Sequence, residues 1–72
     1  MNASLLKSEM VANNETAKSL AAKIGISRTT LSAKMTNKRP FTLEEVNKIC
    51  EVLQISNAKR IGEIFLPQTF QK

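Results

Sequence analysis

The sequence predicts an all-α fold, and three observations carry that prediction. Apolar residues recur at the i, i+3, i+4, i+7 spacing of a buried helical stripe, as in Ala17, Leu20, Ala21 and Ile24. Capping residues and breakers divide the chain into five such segments. Strand signals are missing, since β-branched residues are scattered and no Asn-Gly or Asp-Gly hairpin turn occurs.

The first helix is expected over about residues 3–12, with Asn2 as its cap and Leu6 and Met10 on one face. Asn13 and Asn14 break it. A second helix starts after Thr16, whose hydroxyl can accept from otherwise unpaired first-turn amides. Gly25 ends it, because glycine enters the left-handed region at little steric cost. Only Gly25 and Ile26 separate it from Ser27, the cap of a third helix over about 28–36 that stops near Asn37 and finally at Pro40. Thr42 followed by Glu45 is a capping box, each side chain able to satisfy the other residue's amide. It opens a fourth helix over about 43–53, with Leu43, Val46, Ile49, Cys50 and Leu53 facing inward. Ser56 is read as the cap of a short fifth helix through about residue 64, carrying Ile61 and Ile64 or Phe65 toward the core. Pro67 ends regular structure, so residues 1–66 read as one domain and 67–72 as a tail.

A chain of 72 residues holds one domain at most, near the size where a single core becomes marginal. Cys50 is its only cysteine and histidine is absent, which excludes an internal disulfide and gives no metal-ligand cluster. The core must come from packed aliphatic helices, with association of a second chain as further support. Apolar runs of only three or four residues exclude a membrane span, and no secretory leader is recognisable. These features lead to the expectation of a cytoplasmic protein. With no aspartate and no glycine-rich phosphate loop either, neither an enzyme nor a cofactor is expected.

The net charge of +5 is unevenly placed. Residues 1–15 sum to −1 and residues 40–72 to zero, whereas residues 16–39 sum to +6 through Lys18, Lys23, Arg28, Lys34, Lys38 and Arg39. Such a concentration attracts a polyanion and releases its counterions on binding, although a solvated basic face would show the same pattern.

Two helices joined by a three-residue turn containing glycine must cross steeply. Ala21 is small enough for the close approach, Gly25 turns the chain, and Ile26 fills the corner from inside. Leu20, Ile24 and Leu31 anchor the pair, which leaves Arg28, Thr29, Ser32 and Ala33 on the outer face of the third helix.

Thr16, Leu20, Ala21, Ile24, Gly25, Ile26, Ser27 and Leu31, followed by Lys38-Arg39-Pro40-Phe41-Thr42 and the Ile-Phe-Leu ending at Leu66, resemble the phage repressor and Cro type of helix-turn-helix. The resemblance covers about residues 5–66. It implies a compact five-helix, lambda-repressor-like domain that binds double-stranded operator DNA, usually as a dimer. Lys34 departs from the family pattern, which often has an aliphatic residue there. Met35 is expected to take the core role while Lys34 lays its stem along the surface. Met10 and Met35 stand where some relatives place a charged pair, and a thioether contact is expected instead.

On this reading Arg28 is the foremost base-reading candidate, since a guanidinium can donate two hydrogen bonds to guanine; a phosphate clamp is its alternative. Thr29 and Ala33 suit base edges or thymine methyls, and Ser32 a base or a phosphate. Thr16, Ser27 and Thr30 suit phosphate at helix starts, with capping as the alternative or concurrent role. Lys38 and Arg39 flank the groove as phosphate contacts, while Lys18 and Lys23 supply long-range field. Cys50 reads as a small core hydrophobe. Phe65, Leu66 and Phe70 either fold back on the core or form a partner surface. A second function class stays open, a modulator that binds a phage repressor protein rather than DNA.

Overall fold

The computed structural model describes residues 2–65. Five helices run through them: α1 (Ala3–Ala12), α2 (Ala17–Ile24), α3 (Arg28–Met35), α4 (Leu43–Val52) and α5 (Ala58–Phe65). None is long and apolar enough to cross a membrane. Leu66, Phe70 and the expected tail over 67–72 lie outside the described residues.

Each helix start is closed by a side chain. Asn2 Oδ1 accepts from the Leu5 amide at 3.1 Å, and Ser27 Oγ from Thr30 at 3.0 Å. Thr42 and Glu45 form the reciprocal box that the sequence indicates. The box at α2 is unexpected, because Ser19 stands where Glu or Gln is usual; its Oγ accepts from the Thr16 amide at 2.9 Å. At α5 the cap moves one residue from Ser56: Asn57 Oδ1 accepts from the amides of Lys59 and Arg60 at 2.8 and 3.3 Å.

The other ends share one device. Asn14, Gly25, Asn37 and Gln54 all have φ between 56° and 84°. The next residue's amide then bonds back five positions: Glu15 to Met10, Ile26 to Ala21, Lys38 to Ala33 and Ile55 to Cys50, at 2.8–3.0 Å. This closure satisfies carbonyls that a helix end otherwise leaves unpaired.

The core gathers Leu6, Leu20, Leu31, Ile49, Leu53 and Ile64, all fully buried. Phe41 and Phe65 meet edge to face with centroids 5.9 Å apart. Helix α2 packs on α3 and α4, and α1 on α5. The Asn2 amide donates to the Ile64 carbonyl at 2.7 Å, and Arg60 pairs with Glu9 at 2.8 Å, tying the first helix to the last.

One inward assignment on α4 is corrected. Leu43 is 68% exposed, because Phe41 precedes the cap and takes the buried place with Val46 one turn on. Cys50 is half-buried at the edge of the core, where desolvation pushes its thiol pKa up.

Gly25 tests the turn. A Cβ there meets nothing within 4 Å, so only the backbone angle, φ +84°, opposes substitution. Gly25→Ala is expected to cost about 1–2 kcal/mol, and Gly25→Asn less, since asparagine tolerates this region. Urea unfolding of the three proteins checks this, with equal midpoints as the contrary result.

Candidate nucleic-acid interface

The crossing of α2 and α3 fixes the surface that α3 presents. Ala21 is 2% exposed and accepts from the amides of both Gly25 and Ile26, at 2.9 and 3.0 Å. Leu31 and Met35 bury one side of α3. On the other side Arg28, Thr29, Ser32 and Ala33 line a shallow groove of about 360 Å³, closed at one edge by Lys38. The structure thus brings together all four residues selected as base readers and one of the flanking cations.

The remaining sequence candidates do not line this groove. Thr16 is exposed at the start of α2, where its hydroxyl caps the Ser19 amide. Ser27 Oγ donates to Thr30 Oγ1 at 2.9 Å, which leaves the Thr30 hydroxyl proton free to donate elsewhere. Arg39 is exposed beyond α3. Arg28 and Ser32 also line a crevice between α1 and α3, at whose walls Met10 and Met35 stand. Both methionines belong to the buried core.

The electrostatics differ from the sequence count. Lys23 pairs with Glu15 at 2.5 Å. Hydrogen bonds from Lys23 and from Ser19, with the lysine's charge, hold the Glu15 carboxyl below its ordinary value. Lys34 does not lie along the surface. It is 5% exposed, and its ammonium reaches both oxygens of Glu45 at 2.5 and 2.6 Å. Its partner stands on α4, so the side chain turns inward to meet it. Two of the six cations between residues 16 and 39 are therefore neutralised, and Lys18, Arg28, Lys38 and Arg39 remain exposed without ion pairs among the described residues.

Phe65 is 1% exposed and packed on Phe41, so it is no open partner surface. It instead floors an apolar cleft of about 290 Å³ between α4 and α5, with Leu43, Val46, Cys50, Ala58 and Ile61 around it. The sequence reading missed this cleft; the exposed Leu43 and the small Ala58 and Gly62 on α5 are its traces.

Residues 6–65 match the family model of the Cro/C1-type HTH DNA-binding domain. No curated protein and no solved structure gives a significant match.

The Lys34–Glu45 pair gives a pH prediction. Burial disfavours the Glu45 carboxylate, but hydrogen bonds from Lys34 and the Thr42 amide, with the ammonium's charge, outweigh it and keep the pKa below its ordinary value. A depressed folded-state pKa contributes stability above the unfolded value, about 4.3, that is lost as pH falls through the folded one. Glu45→Gln should therefore cost roughly 1–3 kcal/mol at neutral pH, with the gap from the parent narrowing below about pH 4. Urea midpoints across pH 3–7 check this; a constant gap would contradict it.

Proposed function

The chain belongs to the Cro/C1-type helix-turn-helix DNA-binding family, and from that premise we propose that it is a Cro- or repressor-like transcriptional regulator whose α3 reads operator DNA in the major groove. The observation that carries this reading is the single groove formed by Arg28, Thr29, Ser32, Ala33 and Lys38. A fork of guanidinium donors at the N-terminal end of a recognition helix suits guanine O6 and N7. Small and hydroxyl side chains beside it allow the helix to approach base edges and thymine methyls. Lys38 and Arg39 then hold the flanking backbone, and Thr16, Ser27 and Thr30 supply hydroxyls at the starts of α2 and α3 where phosphate is favoured.

The protein acts as a homodimer on DNA, with the α4–α5 cleft as the contact between copies. Support comes from its apolar lining, to which the exposed Leu43 contributes. An isologous contact places a patch against itself, so an apolar patch suits it. The basic face, by contrast, repels its own copy and is left for DNA.

Two experiments test these statements. Fluorescence anisotropy with a duplex selected by the parent from a randomised library should show Arg28→Ala losing about 1–3 kcal/mol of discrimination. Lys38→Ala should instead weaken all duplexes alike and lower the salt slope by about 1. Weak binding of every duplex by parent and variants alike would remove the operator reading and favour the modulator of a repressor protein. For the dimer, Leu43→Glu should halve the stoichiometry on a palindromic site in sedimentation. A parent that binds one asymmetric half-site with full affinity as a monomer would contradict it.

A further inference from the structure

We infer that the buried Lys34–Glu45 pair is a positioning device that sets the rotation of α3 about its own axis, and hence the register of the groove residues on DNA. Three observations carry this. The two side chains are 7% and 15% exposed, so the charges meet with little water between them. Both Glu45 oxygens receive the Lys34 ammonium, and Oε1 also accepts the Thr42 amide at 2.9 Å. The carboxylate is thereby fixed to the first turn of α4 before it holds α3. Finally, Lys34 sits two residues after Ser32 and is buried where Ser32 is exposed, about 200° round the helix from it.

Stability alone does not account for such a pair. Desolvating two charges costs about what their attraction returns, and apolar residues of similar volume often serve as well. What an apolar contact does not supply is direction. Leu31 and Met35 hold α3 against the core by apolar contacts, which are non-directional. A charge-assisted hydrogen bond has a narrow range of length and angle, so it selects one rotation among those the apolar face permits. Base reading depends on that selection, because a reading side chain needs placement within about 0.5 Å.

This inference rests on α3 being the reading helix, and its test separates the two. Lys34→Met with Glu45→Gln removes the ion pair while keeping the net charge and an acceptor for the Thr42 amide. Glu45→Asp keeps both charges but shortens the anchor by one methylene. Binding is measured to the selected duplex and to a scrambled one, with thermal melting alongside and Arg28→Ala as the control. The double variant should fold, bind scrambled DNA as the parent does with the same salt slope, and lose about tenfold or more of the ratio between the two duplexes. Glu45→Asp should lose part of that ratio, and it carries the test if the double variant does not fold. An unchanged ratio in the folded variants overturns the inference, as does an equal loss on both duplexes that merely tracks melting. If Arg28→Ala keeps the ratio while the double variant loses it, Arg28 is not the reader but the positioning role stands. A parent with no preference for any duplex overturns both.

Discussion

The structure depends on closing the ends of helices that are too short to stand alone. Its helices have eight or ten residues, below the length at which an isolated helix holds in water. At that length the unpaired groups of the two ends involve almost every residue, so capping is a condition of the fold and not a refinement. Side-chain acceptors close the starts, and four left-handed residues with their backward amide bonds close the ends. Only with those groups satisfied can a core of single aliphatic stripes outweigh the entropy of ordering so small a chain.

The same closures shape the candidate DNA-binding face. The Gly25 turn that ends α2 leaves one residue, Ile26, before the cap of α3, and that brevity forces the steep crossing. Ser27 caps α3 and thereby places Arg28 at its first turn, exposed and without an ion pair among the described residues. At the far end Asn37 reverses the chain and brings Lys38 to the edge of the groove. Backbone economy and ligand presentation are here one arrangement, which is why so small a domain can carry a binding surface.

Much of this was legible because it is local. Thr16, Ser27, Thr42 and Asn2 announce helix starts, Gly25 and the asparagines announce ends, and the spacing of Leu20, Ala21, Ile24 and Leu31 gives the buried face. The grouping of Arg28, Thr29, Ser32 and Ala33 follows from helical periodicity once the third helix is placed. What was not legible is long-range or depends on competition between neighbours. Nothing near Lys34 in sequence shows that Glu45 waits on the next helix, so a lysine on an edge position reads as a surface residue. Leu43 reads as inward until Phe41 is seen to fill that place. Gln54 carries no turn signal, and its left-handed backbone is imposed by the bond from Ile55 to Cys50. Phe65 could be placed either in the core or at a partner, and its ring contact with Phe41, distant in sequence, decides for the core.

One consequence concerns how binding preference and fold are divided among residues. The side chains of Arg28, Thr29 and Ser32 make no hydrogen bond or ion pair among the described residues, and all three are exposed. Their substitution therefore removes little that holds the domain together beyond helix propensity. Leu31, Lys34 and Met35, interleaved with them on the same helix, are buried and bear on where that helix lies. Helix α3 thus alternates between residues whose chemistry faces outward and residues whose packing aims them. On the proposed reading, a change of preferred DNA sequence comes from the first set at small cost in stability, whereas a change in the second set alters the aim of every outward residue at once.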